Sequence, residues 1–320
     1  MINKHYSFIV DKDKEHLRLD KFLLNNISNT TRNQIQNSFK TEKITVNNFF
    51  VKKSYRVKPF DVIRISMDYP KEILTEDLSL NIVYEDDVLV LINKSDNLIV
   101  SHVNGNYKVT LLHAIKYHLN KIGMNVKPER LGLVHRLDKE TSGLLLIAKN
   151  DFSLQHLTYQ FFARSVYRRY LALVWGNLEG FGTMKGYIGR SFIDRTRMEI
   201  YSNRDFGKHS VTHYKVLEKL NIVTFVSCRL DTGRTHQIRT HLMHLGYPIF
   251  NDVRYGVGNN KQKKIVQNCF SILQGQFLHA QSFIFIHPIT GKPMHFDVPL
   301  PKKMYDVLEK FRHLIPHRSV

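Results

Sequence analysis

The sequence predicts an α+β protein of two domains. At 320 residues the chain is long enough for roughly two domains that each bury a core of their own. A short first part carries two helical patterns and a hairpin, whereas the longer remainder mixes aliphatic, strand-like runs with amphipathic segments. A polar stretch containing a proline separates the two parts. We therefore expect a small domain at residues 1–70, a linker at 71–78 and a large domain at 79–320.

The small domain is predicted to pack two helices against a short sheet. Apolar residues recur at helical spacing and indicate a first helix, at Leu19, Phe22, Leu23 and Ile27. Thr30-Thr31 can cap a second helix, whose apolar stripe contains Ile35 and Phe39. The pattern at 43–51 is typical of a hairpin around Asn47-Asn48, and 61–65 is predicted to be another strand.

The charge of the chain indicates a polyanionic partner. The formal net charge is +19, and such an excess of Lys and Arg attracts nucleic acid first and an anionic membrane surface second. The stretch between Thr30 and Phe60 contains one acidic residue, Glu42. It contains seven basic residues, which are Arg32, Lys40, Lys43, Lys52, Lys53, Arg56 and Lys58. A basic run is often only a solvated surface. This one spans two helices and a hairpin, which favours phosphate contacts.

The elements of the large domain follow from the same patterns. Two strands are predicted at 82–84 and 88–92 around an acidic turn, and a buried strand at Leu144–Ala148. Helices are predicted at 110–119, 153–164 and 303–311, and further strands from Tyr170, at 190–201 and at 208–217.

The cysteine content and the length of the apolar runs indicate in which cellular compartment the protein is expected. The two cysteines, Cys228 and Cys269, form no paired metal-ligand spacing, which indicates a reduced, cytoplasmic protein. No apolar run approaches the roughly 18 residues of a spanning helix, so no membrane association through such a segment is expected. The first residues lack the apolar core of a secretory signal.

Two motifs carry the candidate chemistry. The first is HRLDKETSG at 135–143, directly before the buried run, and its simplest interpretation is a turn residue, Asp138, with a surface partner, Arg136. The second is GRTHQIRTH at 233–241, within a predicted helix. The histidines His236, His241 and His244 suggest zinc, but spacings of five and three do not bring all three to one helical face.

Both motifs closely resemble those of the RluA-type pseudouridine synthases, and the likeness extends from about Leu17 to Pro301. It implies a mixed, mainly antiparallel β-sheet flanked by helices, and isomerisation of uridine in structured RNA. The substrate is most simply large-subunit ribosomal RNA or its precursor, with transfer RNA, which relatives modify, as the alternative. The likeness implies no cofactor and no metal. By this resemblance Asp138 is the catalytic carboxylate, Arg239 the basic residue that reaches it, and Tyr170, rather than Tyr167, the tyrosine of the active site. Arg136 would fill the stack that an extruded base vacates.

The amino-terminal part resembles an RNA-binding domain of the S-four type, through RLDKFL, TRNQIQ, KITVNN and KPFDVIRI in that order. It departs from that pattern at Asn48 and Phe60, where glycine is usual. The resemblance implies that Arg32, Lys40, Lys43, Lys52 and Lys53 contact RNA.

Three questions stay open at this stage. Asp138 could attack C1′ of the ribose, or it could remove a proton from C2′ to form a glycal. The chain could instead be a non-catalytic RNA-binding ribosome assembly factor. It could also be a metal-dependent nuclease that uses Asp138, Asp231 and Asp252.

Overall fold

The computed structural model of the chain describes residues 2–12, 16–27, 30, 32–69, 79–100, 110–124, 132–256 and 275–313. The described residues up to 69 form one compact unit, and those from 79 onward form a second. The expected linker at 71–78 and Cys269 lie outside the described residues.

The amino-terminal unit has two helices and a four-stranded antiparallel sheet in the order β1-β4-β2-β3. Its elements are β1 (Ile2–Ile9), α1 (Leu19–Asn26), α2 (Arg32–Lys40), β2 (Ile44–Val46), β3 (Phe49–Phe50) and β4 (Val62–Tyr69). The apolar residues of both predicted helices contribute to its core, with Leu19, Leu23 and Ile35 fully buried. The sequence patterns did not reveal β1, which pairs with β4 along its whole length.

Asn48 and Phe60, at which the S-four-type pattern usually has glycine, both have a left-handed backbone. Asn48 has φ 72° in the turn between β2 and β3, and Phe60 has φ 66° before β4. Asparagine tolerates this region, whereas a bulky side chain rarely adopts it. The usual glycine at these two places therefore reflects backbone geometry, and Phe60 holds a strained conformation.

The second unit is built on an 11-stranded sheet that runs β11-β10-β12-β13-β9-β14-β8-β6-β5, with β15 paired to β14 and β7 to β8. Its strands are β5 (Ile82–Glu85), β6 (Leu89–Lys94), β7 (Gly132–Leu133), β8 (Ser142–Ala148), β9 (Tyr167–Trp175), β10 (Phe181–Arg190), β11 (Met198–Tyr201), β12 (Lys208–Leu220), β13 (Val223–Leu230), β14 (Leu278–Ile286) and β15 (Pro293–Asp297). Its helices are α3 (Leu111–Lys121), α4 (Asp151–Phe162), α5 (Gln237–His244) and α6 (Lys302–His313). Among the described strands β8 and β14 pair in parallel and the other pairs are antiparallel, which confirms the mixed, mainly antiparallel sheet.

Strand β8 is buried on both faces, as its unbroken aliphatic run predicts. Leu145 and Ile147 belong to one apolar cluster, whereas Leu144 and Leu146 belong to another. Because side chains alternate across a strand, the two clusters cover opposite faces of the sheet at this point. The loop that carries Asp138 therefore leads into a strand that is buried on both faces.

Gly143 allows β8 and β14 to approach each other closely. Its φ is 111°, and a Cβ at this position would lie 2.2 Å from the carbonyl oxygen of Ala280, its partner in the parallel register. Any side chain here would meet both a backbone clash and an unfavourable φ. The glycine of the first motif thus joins the two strands that flank the site.

The prediction of one continuous strand at 190–201 is wrong for the residues between Arg190 and Met198. Arg190 ends β10 and Met198 begins β11, and the residues between them form turns. The hydroxyl of Ser191 accepts hydrogen bonds from the backbone of Ile193 and Asp194, and Asp194 accepts from Thr196. Short polar side chains that bond to nearby backbone compete with strand pairing. The sequence patterns also missed β10.

Candidate active site

Asp138, Tyr170, Arg239 and Arg136 line one cavity of about 380 Å³ in the second unit. They come from separate elements, since Asp138 and Arg136 lie in the loop before β8, Tyr170 lies on β9, and Arg239 lies on α5. Strand β14 stands between β8 and β9, and its Leu278 also lines the cavity. The order of the strands thus assembles in one place residues that the chain carries far apart.

His135 anchors the loop that carries Asp138. Its ring packs between Phe161 and Phe283, with centroids 5.2 and 5.0 Å away, and its Nε2 accepts a hydrogen bond of 3.0 Å from the backbone of Leu146. Burial lowers the pKa of His135 to about 3, so the ring is neutral at physiological pH. This histidine of the first motif has a packing role.

Arg239 bridges two carboxylates. Its Nε and Nη2 donate to Asp252 at 2.7 and 2.9 Å, and its Nη1 donates to Asp138 at 2.8 Å. Burial disfavours the charged guanidinium, but the hydrogen bonds and charge of Asp252, followed by those of Asp138, outweigh it and raise the pKa of Arg239. The ring of Tyr255 lies 5.0 Å from the guanidinium. Arg239 is therefore a fixed cation whose free edge is directed at Asp138.

Asp252 is a site residue whose role the sequence patterns did not reveal. It is fully buried, and besides Arg239 it accepts hydrogen bonds from the backbone of Arg254 and Tyr255 at 3.0 Å. The preceding residue, Asn251, has φ 58°, a left-handed backbone that asparagine tolerates better than most residues other than glycine. From the sequence, Asp252 was considered only as a carboxylate of the nuclease alternative.

His236 is a second neighbour of Asp138 that was not predicted as a site residue. Its Nε2 lies 3.9 Å from Asp138 Oδ1, and its Nδ1 is hydrogen-bonded to the Tyr255 hydroxyl at 2.8 Å. It has a left-handed backbone, with φ 56°, immediately before α5. Burial lowers the pKa of His236 to about 4, so a neutral imidazole faces the carboxylate.

Tyr170 is buried in β9 between β13 and β14, and it lines the cavity. Burial raises the pKa of its hydroxyl, while the charge of Arg168 acts in the opposite direction. The phenol is therefore protonated at neutral pH. Tyr167, the alternative tyrosine, begins the same strand and does not belong to the cavity lining in the described part of the chain.

Lys94 connects the end of β6 to the Asp138 loop. Its side chain is fully buried, and its Nζ donates to the carbonyl oxygens of Ser95, Leu98 and Lys139. Burial lowers the pKa of Lys94 to about 7, although the charges of Asp96 and Asp138 oppose this. The loop after β6 thus supports the backbone next to Asp138, a contact that the sequence did not indicate.

The side chains considered for metal binding have other partners. Both ring nitrogens of His241 are hydrogen-bonded to hydroxyls, those of Thr212 and Ser210. Asp231 pairs with His213 at 2.7 Å and with Arg229 at 3.0 Å, and Asp252 pairs with Arg239. Asp138 also pairs with Arg239, so cationic or potentially cationic side chains hold all three carboxylates that a nuclease would need.

Most of the basic residues predicted to bind RNA meet at one groove of the amino-terminal unit. Lys40, Lys52 and Lys53 line it together with the exposed ring of Phe50. Lys43 is partly buried beside β2, and the side chain of Arg32 lies outside the described residues.

Comparison with known proteins identifies the class of protein. A family model described as RNA pseudouridylate synthase matches residues 88–244. A solved structure of human RNA pseudouridylate synthase domain containing 4 superposes with a TM-score of 0.59 and 24% identity, over 72% of this chain and 93% of that one. At this identity the superposition establishes the fold, which is that of an RNA pseudouridine synthase.

The sequence relatives identify the family more closely. The chain is 40% identical to an RNA pseudouridine synthase of Chlorobaculum parvum, over 95% of this chain and 96% of that one. It is 37% identical to ribosomal large subunit pseudouridine synthase D of Nitrosomonas europaea, over 95% and 87% of the two chains. The chain therefore belongs to the RluA-type family of RNA pseudouridine synthases, which are isomerases. Within the described residues, no helix combines the length and the apolar character needed to cross a membrane.

Proposed function

We propose that the chain converts specific uridines of large-subunit ribosomal RNA to pseudouridine, with Asp138 as the carboxylate that acts on the sugar. The observation that carries this proposal is the hydrogen bond of 2.8 Å from Arg239 Nη1 to Asp138 Oδ2, at the side of a cavity that also contains Tyr170. The names of relatives such as the Nitrosomonas enzyme support the choice of RNA.

The chemistry requires an ionised carboxylate at the sugar. The N1–C1′ bond breaks, the base turns, C5 bonds to C1′, and the proton of C5 is lost while N1 gains one. Positive charge develops on the ribose as N1 departs, and a carboxylate stabilises it, traps C1′ covalently or removes the proton of C2′. Arg239 donates to Oδ2 of Asp138 and places a positive charge beside it. The isomerisation involves no net oxidation, which is consistent with a reaction that needs no cofactor.

Tyr170 is assigned to the removal of the C5 proton. Because burial raises the pKa of the Tyr170 hydroxyl, the phenol is protonated at neutral pH and cannot act as a general base in its resting form. The phenol proton passes to a water molecule as the phenolic oxygen accepts the proton of C5, and the nearby charge of Arg168 assists by favouring the phenolate.

Extrusion of the target base is assigned to the rim of the cavity. Arg136 is exposed there, two residues before Asp138, and the ring of Phe162 at the same cavity is 83% exposed. A planar guanidinium that occupies the vacated stack offsets part of the cost of unstacking, which is a few kcal/mol.

The amino-terminal unit is assigned to RNA docking, as a domain of the S-four type. Three lysines and Phe50 around one groove offer both phosphate contacts and a stacking surface. Replacing Lys52 and Lys53 by Gln should weaken RNA binding and reduce the slope of log affinity against log salt by about 2. The matched control is the same change at Lys302 and Lys303 on α6, which alters the net charge equally and should leave the slope unchanged.

The direct test is a map of pseudouridines in the RNA of a strain that lacks the gene, complemented with wild-type or Asp138→Asn protein. We expect at least one ribosomal uridine to be modified only with the wild-type protein. A non-catalytic assembly factor would instead let Asp138→Asn complement growth with unchanged pseudouridines. A nuclease would yield shortened RNA that a chelator protects.

A further inference from the structure

Arg168 is a buried cation of the same cavity, and apart from the effect of its charge on Tyr170 it has no assigned role. It lies on β9 two residues before Tyr170 and therefore on the same face of the strand. Its side chain is 6% exposed, and it lines the cavity together with Asp138 and Tyr170. The guanidinium carbon lies 5.1 Å from the ring centroid of Phe161 on α4.

No carboxylate neutralises Arg168 within the part of the chain that the structure describes. Its Nε is buried without a hydrogen-bond partner. Asp231 contributes a favourable charge from a distance, but its oxygens are engaged by His213 and Arg229. Burial accordingly lowers the pKa of Arg168. Arg239, in the same cavity, is held by two carboxylates. An unpaired buried charge is costly, and such groups concentrate at functional sites.

The surroundings hold the guanidinium of Arg168 in place. Besides Phe161, Gly233 lies close to the guanidinium, since a Cβ at Gly233 would be 2.9 Å from Arg168 Nη1. The turn that contains Gly233 is fixed by Gln237, which accepts hydrogen bonds from the Arg234 backbone at 2.9 Å and from the Thr232 hydroxyl at 2.8 Å. The glycine of the second motif thus leaves room for the guanidinium beside a rigid turn.

We infer that Arg168 binds an anionic oxygen of the target nucleotide. This rests on the proposed function, because the cavity must receive a uridine. The oxygen has two possible sources. One is the phosphate that flanks the uridine, which is charged throughout the reaction. The other is the uracil, which keeps the bonding pair when N1–C1′ breaks and spreads the charge over its two carbonyl oxygens until C5 bonds to C1′.

Three variants test the inference, with Arg169→Met as the matched control. Arg169 is the next residue of the strand, points to the other face and pairs with Asp297 at 3.2 Å with both side chains partly exposed. Arg168→Met and Arg169→Met therefore remove the same charge from the whole protein. Arg168→Lys keeps the charge and loses the planar fork, and Gly233→Ala keeps the guanidinium but displaces it.

The assay uses the RNA fragment around the uridine identified by the mapping experiment, with single-turnover rate and RNA affinity measured separately. We expect Arg168→Met to lose about 10- to 100-fold in rate or in affinity, Arg168→Lys and Gly233→Ala to lose less, and Arg169→Met to stay within about twofold of wild type. Equal values for Arg168→Met and Arg169→Met would overturn the inference. If Arg168→Met does not fold, Arg168→Lys and Gly233→Ala take its place. A rate and an RNA affinity equal to those of the wild type in both of these variants would also overturn the inference.

A neutral methylphosphonate at each flanking phosphate of the fragment distinguishes the two sources. If Arg168 binds a phosphate, this change weakens wild-type affinity and adds nothing to Arg168→Met. If it binds the uracil, affinity is unaffected and the rate at saturating RNA falls in Arg168→Met with either RNA. Both results support the inference.

A second measurement separates failure of this inference from failure of the proposed function. Should wild-type protein modify no RNA, uridine 3′,5′-bisphosphate is titrated into the wild-type, Arg168→Met and Arg169→Met proteins. Binding weakened only in Arg168→Met supports the anion site without the reaction, and equal binding in all three overturns it.

Discussion

Replacing Asp252 by Asn tests whether the anchoring of Arg239 matters for catalysis. The change keeps the shape of the side chain, but it removes a buried charge that accepts hydrogen bonds of 2.7 and 2.9 Å from Arg239. Two charges about 4 Å apart at an effective dielectric constant of about 20 attract by about 4 kcal/mol. Loss of one partner of a buried pair costs about 3 to 5 kcal/mol. Because Asp138 still pairs with Arg239, we expect a loss of about 3 kcal/mol.

Thermal unfolding and single-turnover kinetics measure the two consequences of Asp252→Asn. A loss of about 3 kcal/mol lowers the melting temperature by about 6 to 12 °C in a domain of this size. A guanidinium released from Asp252 no longer holds Asp138 in place, and a misplacement of about 1 Å costs about 100-fold in rate. We expect this loss in kcat with KM nearly unchanged, which a purely structural role of Asp252 would not produce.

Asp297→Asn is the control for Asp252→Asn. Asp297 also accepts a hydrogen bond from an arginine, Arg169, but both side chains are partly exposed, so the change should cost less than about 1 kcal/mol. If Asp252→Asn matches this control in both melting temperature and kcat, the positioning of Asp138 through Arg239 and Asp252 is wrong.

Three further predictions concern stability. Burial lowers the pKa of Lys94 from 10.5 to about 7, so at pH values between these two the unfolded chain binds more protons than the folded chain. The free energy of unfolding should therefore rise with pH by up to about 1.4 kcal/mol per pH unit in this range. Denaturant titrations across the range should show this rise in the wild-type protein and not in Lys94→Met. Phe60→Gly should stabilise the amino-terminal unit by about 0.5 to 1 kcal/mol in denaturant unfolding, because it relieves a left-handed φ of 66°; a destabilised variant would contradict the strain. Gly143→Ala should cost more than about 4 kcal/mol or prevent folding, since its Cβ meets the Ala280 backbone, whereas Gly123→Ala, with φ 81° and open space, should cost only about 1 to 2 kcal/mol in thermal melts.

Local patterns predicted the elements well where burial and turn chemistry agree. The hairpin at Asn47-Asn48, the aliphatic strand β8 and helix α4 lie where the sequence predicts them, within about two residues. Strand β10 was missed because three of its residues are glycine and its burial does not alternate cleanly. Strand β1 was missed although it pairs along its full length with β4, because its stability comes from a distant partner.

Within the site, residues in continuous motifs could be proposed from the chain alone, whereas their partners could not. Asp138, Tyr170, Arg136 and Arg239 belong to strings specific enough to indicate a family. Asp252 and Lys94 are common residue types outside these strings, and only their contacts distinguish them. The role of a residue that acts through contact with another element cannot be recognised from the residues adjacent to it in the sequence.

The amino-acid sequence alone was sufficient for the family, the α+β class and the excess of positive charge, because each of these is carried by composition or by residues adjacent in the chain. The folded chain decided which side chains meet. Asp138 and Arg239 are 101 residues apart, and the strand order β8-β14-β9-β13 brings the loop before β8 near the helix that follows β13. The folded chain also decided that Arg239 has two acidic partners while Arg168 has none in the described residues. Burial and pairing of charges depend on the order of strands in the sheet, which no short stretch of sequence specifies.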